Sequence, residues 1–173
     1  MTQTPATPPA SGARALVGGL AVAAATMLVL ELFIIMVLRM PDLFLLAAPA
    51  TFLFVAVAGP PTAWAASRLS RGAGPRRAVL THGAAAALAG AVWGYPVFAL
   101  ALQWAAQPDP APRAPALAAI GAFYLATTAA AGALAGRYLA PWLVTRPSLV
   151  RTLVGAVAAT TAICLGVLLL VRF

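Results

Sequence analysis

The chain has 173 residues, of which 63% are hydrophobic and 8% charged, and its mean hydropathy is +0.97. A soluble domain of that composition could not keep its surface wet, so the expected solvent is a bilayer and the expected fold an all-α, polytopic transmembrane helix bundle. The formal charge of +8 comes from eleven arginines and no lysine, set against Glu31, Asp42 and Asp109. In a soluble chain that balance would point to nucleic acid. Here the arginines flank apolar runs and read as membrane anchors, so the bilayer is the expected partner and no nucleic acid is.

Residues 1–13 are polar and proline-rich and are expected to form a disordered cytoplasmic tail. The remainder, 14–173, reads as one transmembrane helical domain with five spans. The first covers about 15–38, bracketed by Arg14 and Arg39, and is too long for a cleaved signal peptide. It contains Glu31, the only glutamate in the chain. A central acid costs roughly 3 kcal/mol on insertion scales, and the surrounding Leu, Ile, Val and Phe residues outweigh it.

The second span covers about 43–67 and is interrupted by "GPP" at 59–61. Its unbroken part, 43–58, is only ~24 Å long as a helix. Either a proline kink carries the helix onward or it stops and re-enters the interface. Arg68, Arg71, Arg76 and Arg77 follow in the loop "SRLSRGAGPRR", where lipid headgroups are the expected contact.

The third span, about 78–103, holds His82 one turn from its start and "WGYP" at 93–96, the expected position of a bend or small cavity. The proline-spaced connection 107–115 is expected to be short and extended. The fourth span, about 115–136, carries Tyr124. The stretch 137–151, "RYLAPWLVTRPSLVR", reads as an interfacial loop in which Tyr138, Trp142 and the arginines sit among headgroups. The fifth span covers about 152–171, after Arg151.

Arg14, the 68–77 cluster and Arg137, Arg146 and Arg151 fall on one side of a five-span bundle. The positive-inside rule makes that side cytoplasmic, with the N-terminus inside and the C-terminus outside. The composition, rich in Ala, Arg, Pro and Gly, suits a bacterial protein of the cell inner membrane. Arg14, Arg77 and Arg151 each open a similar stretch of small and aliphatic residues. Shared anchoring needs explain that as well as an internal repeat does.

Aligning spans by depth puts Thr51, residues 93–95 and Tyr124 near Glu31. Pro49 and Pro96 free the carbonyls of Leu45 and Val92 at a similar level. Glu31, Thr51, Tyr95 and Tyr124 are therefore the candidate intramembrane polar group. His82 is a second polar candidate, but lies ~18 Å from Glu31 in depth and is not expected to pair with it. Two small-residue stripes, Ala86–Gly90–Gly94 and Thr128–Gly132–Gly136, are candidate helix-packing seams.

No carboxylate pair, phosphate loop or metal-binding cluster appears. Ser67 and Ser70 could approach His82, but no acid is available to orient it. The lone Cys164 excludes an intrachain disulfide. No enzyme, cofactor or metal is expected. The reading that best fits the sequence is an accessory or regulatory membrane protein docking on itself or another membrane protein; the alternative is a proton- or ion-coupled transporter component using Glu31.

Overall fold

A computed structural model describes residues 9–37, 39, 42–105 and 114–172. Among these residues there are six helices and no strand: α1 (Pro9–Val37), α2 (Asp42–Val57), α3 (Gly59–Leu69), α4 (Pro75–Ala105), α5 (Ala114–Val144) and α6 (Pro147–Arg172). Four helices are long and apolar enough to cross a membrane, and α2 and α3, bent against each other, pass the same test of length and composition only when taken together. Large apolar side chains such as Phe33, Leu88, Phe123 and Leu170 point outward around the bundle, as lipid rather than water allows.

Three sequence-based boundaries need correction. Helix α1 begins at Pro9, inside the stretch expected to be a tail; residues 1–8 lie outside the described residues, as does most of the 107–115 connection. Helix α5 does not end at Gly136 but continues through Arg137 and Pro141 to Val144. The 137–151 stretch is therefore no interfacial loop, since only Thr145 and Arg146 separate α5 from α6. Pro141 removes one donor close to the helix end, where few bonds depend on it. Exposed Arg137 and Tyr138 lie on a final segment of helix that can extend past the hydrocarbon, for 31 residues span about 46 Å against a core of about 30 Å.

The second span bends by 49° between Val57 and Gly59. Pro60 and Pro61 cannot donate to the carbonyls of Ala56 and Val57, so two helical bonds are missing on one side. The two helices meet at Ala58, whose amide closes the last turn of α2 on the Phe54 carbonyl (2.8 Å) and whose carbonyl opens α3 by accepting from the Thr62 amide (3.1 Å). The helical hydrogen bonding is interrupted at Ala58, and the chain bends there. Beyond the kink α3 lies against α4 and barely touches α1. At "WGYP", by contrast, α4 runs through without interruption.

Two antiparallel seams form the centre of the bundle, α4 on α5 and α1 on α5. On α4, a Cβ at Gly90 would lie 2.9 Å from the Leu125 carbonyl oxygen, and one at Gly94 3.0 Å from the Ala122 Cα. Ala86 is buried on the same face. On α5, a Cβ at Gly132 would lie 2.8 Å from the Ala23 carbonyl oxygen, and one at Gly136 would collide with the Gly19 carbonyl. Without a hydrophobic drive between helices in lipid, such close backbone approach supplies the dispersion that holds the pairs together. Helix α6 packs mainly on α2, where Cys164 is buried in the apolar core, and exposes most of its surface.

Candidate functional site

The α1–α5 seam places Glu31. Gly136 meets Gly19 and Gly132 meets Ala23 and Met27, so the antiparallel register advances four residues at a time on each helix. One further pair of steps in the same register brings Glu31 on α1 to the level of Tyr124 on α5. Small residues fill the seam at the arginine-rich end, and the two polar side chains occupy its other end.

Glu31 is 1% exposed, and Thr51 on α2 is fully buried beside it. The Thr51 hydroxyl donates to Glu31 Oε1 at 2.5 Å. A threonine fits here because its γ-oxygen can reach across to α1 while its methyl group packs in the apolar interior. Glu31 Oε2, the Tyr124 hydroxyl and Trp93 Nε1 are all buried without a hydrogen-bond partner among the described residues. Trp93 reaches the interior from α4 and packs on Phe54, one turn along α2 from Thr51, with ring centroids 6.4 Å apart and planes tilted by 55°. Four helices thus bring one carboxyl, two hydroxyls and one indole to the same level. Three unsatisfied polar atoms in one apolar interior are unusual, since each carries a desolvation cost of about 1–3 kcal/mol.

Tyr95 does not join this group. It is 47% exposed on the outer face of α4, and Trp93 takes the interior position. Two residues along a helix turn about 200°, so 93 and 95 cannot both face inward. Thr128 is buried on the α1-facing side of α5, its hydroxyl donating to the Leu125 carbonyl at 3.2 Å.

His82 stands apart from Glu31, at the arginine-rich end. Its Nδ1 is 2.8 Å from the Ala78 carbonyl, which can only accept, so Nδ1 carries the proton and Nε2 faces Ser67 Oγ at 3.4 Å. The Ser67 hydroxyl donates to the Ala63 carbonyl at 2.7 Å, and the Ser70 hydroxyl to the Ser67 carbonyl at 3.4 Å. Arg68 stacks over Trp64 at 4.6 Å, and Arg71, Arg76, Arg77 and Arg151 are exposed at the same end.

A cleft of about 270 Å³ runs from the His82 level toward the Glu31 level. Ser67, His82 and Arg137 line it at the arginine-rich end, and Met27 and Phe54 line it at the inner end. Met27 lies one turn before Glu31 on α1, and Phe54 one turn after Thr51 on α2. The cleft therefore stops one helical turn, about 5 Å, short of the carboxyl. Nothing in the sequence pointed to it, because it arises from the bend at Ala58, which draws α3 toward α4 and away from α1.

No family model, curated protein or solved structure matches the chain. Among the described residues no group of histidine, cysteine, aspartate or glutamate could hold a metal ion.

Proposed function

We propose that this is a small, non-catalytic protein of the bacterial inner membrane, with its N-terminus cytoplasmic, acting as a proton- or ion-coupled transport component through Glu31. The observation that carries this reading is Glu31 Oε2, buried and without a hydrogen-bond partner among the described residues, one turn beyond the end of a cleft that starts at the arginine-rich end. A residue buried only for packing would be expected to have both oxygens satisfied. A group that exchanges a proton or a small cation needs spare hydrogen-bonding capacity and a route to water, and intramembrane acids commonly serve that purpose. Met27 and Phe54 are the side chains that must move for the route to open, and methionine is the more adaptable of the two.

Proteoliposomes loaded with a pH-sensitive dye test this. An imposed proton gradient should dissipate faster with the wild-type protein than with Glu31→Gln, and faster than in empty vesicles. Equal rates for all three would remove the transport reading.

The second reading, an accessory protein that docks on another membrane protein or on a second copy of itself, is favoured by α6. That helix leaves most of its surface free, and Cβ atoms at Gly155 and Gly166 would meet nothing within 4 Å. Co-purification in mild detergent that is lost when Gly155 and Gly166 are enlarged would support it.

A further inference from the structure

The cleft has a second property that the Glu31 reading does not use. Its bore is apolar and its one polar end is cationic. Small residues on four helices create the bore: Ala15 and Gly19 on α1, Ala63 on α3, Ala86 on α4, and Ala133 and Ala140 on α5. Stripes of small residues normally let two helices close together. Here they converge on one axis from four sides, and α3 has swung away from α1, so the gap stays open. Along α5 the bore runs from Arg137 to Ala129, about 12 Å, and its volume lies near the lower limit of ligand sites, roughly 300 Å³.

In a membrane, an apolar bore by itself selects nothing, because lipid tails are equally apolar. Selectivity must come from the polar end. Ser67, His82 and Arg137 stand there, and no carboxylate lines the cleft. Arg137 is exposed and, among the described residues, makes no cation–π contact, unlike Arg68 and Arg146, which stack on Trp64 and Trp142. The Nδ1–H of His82 is held by the Ala78 carbonyl, so its Nε2 edge is directed to the cleft side where Ser67 stands.

We propose that the cleft binds a single-chain amphiphile with an anionic headgroup. The headgroup meets Arg137, with His82 and Ser67 beside it, and the alkyl chain runs inward to Met27 and Phe54. Access is from the bilayer between α1 and α3, which touch where Leu20 meets Gly59 and scarcely elsewhere. Arginine supplies planar, charge-assisted hydrogen bonds to a carboxylate or phosphate, and a volume of about 270 Å³ suits one alkyl chain and not two. The proposal is independent of any proton chemistry at Glu31.

Trp93 makes the proposal testable, because it packs on Phe54 at the inner end of the bore. A variant with Trp64, Trp104 and Trp142 changed to Phe leaves Trp93 as the sole emitter. In vesicles of unbrominated lipid, 12-bromododecanoate should quench Trp93 saturably, and unbrominated dodecanoate should reverse the quenching. 2-Bromododecanoate should quench far less, since its bromine sits by the headgroup. Arg137→Gln, a surface change that leaves the fold intact, should weaken saturable quenching about tenfold, the loss expected for one charge-assisted contact. Ala133→Phe should abolish it by filling the bore, with Arg137→Gln deciding the matter if that variant fails to fold. Quenching that rises linearly and is not displaced by dodecanoate would overturn the proposal. So would equal competition by dodecyltrimethylammonium, or stronger quenching by the 2-bromo isomer.

Discussion

Gly136 and Gly155 offer the same substitution in two opposite settings. Both are helical, so replacing either by alanine removes glycine's backbone freedom in the unfolded chain, worth about 0.5–1 kcal/mol in favour of the variant. At Gly155 nothing lies within 4 Å of the new methyl group. Gly155→Ala should therefore stabilise the protein by up to about 1 kcal/mol. At Gly136 the methyl group would collide with the Gly19 carbonyl, a backbone atom that cannot rotate away. Helices α1 and α5 must separate by some tenths of an ångström along their tightest seam. Overpacking of this kind costs about 1–3 kcal/mol, so Gly136→Ala should end about 1–2 kcal/mol less stable after the propensity gain. The two identical substitutions should then differ by about 2 kcal/mol. Denaturation with sodium dodecyl sulfate in mixed micelles, followed by circular dichroism, measures the difference. Equal stabilities, or a stabilising Gly136→Ala, would refute the seam.

Three further outcomes follow from the same packing. Thr51→Val keeps the shape and removes the donor to Glu31 Oε1, so it should cost about 0.6–1.7 kcal/mol, and Thr51→Ser should recover most of the loss; a silent Thr51→Val would contradict the contact. Tyr124→Phe deletes a buried hydroxyl with no partner, and its stability should stay within about 0.5 kcal/mol of wild type or rise, whereas a loss above about 1 kcal/mol would mean that the hydroxyl is bonded. Cys164 is 4% exposed in the core, so maleimide should modify it slowly in mild detergent and rapidly once α6 is released by denaturant. Fast modification without denaturant would show that α6 is not docked as described.

The helical membrane architecture was legible because hydropathy and run length report on solvent directly. The α5 stripe was legible too, and further than residues 128–136: Tyr124 continues it by one turn, and four-residue spacing on α1 leads from Gly19 to Glu31. Choosing between Trp93 and Tyr95 was within reach of the same rule. Trp93 lies about 60° around the helix from Gly90, while Tyr95 lies on the far side from it. Depth alone could not separate them, because depth carries no information about which face turns inward. The end of α5 was misplaced because Arg137, Tyr138 and Trp142 read as interfacial residues, although a helix longer than the bilayer is thick can carry such residues beyond the hydrocarbon. The cleft was invisible in the sequence for another reason. It depends on the size and direction of the bend at Ala58, and "GPP" announces that a bend exists without giving either.

The central claim is that Glu31 exchanges with its surroundings instead of being sealed in the seam. Infrared difference spectroscopy of the protein in lipid, titrated with pH and with Glu31→Gln to assign the protonated-carboxyl band, tests that most directly. The account predicts a Glu31 band that changes reversibly with pH and shifts on transfer to deuterium oxide. A band that stays fixed from acidic to mildly alkaline pH, and resists deuterium, would contradict it and leave Glu31 as a packing residue.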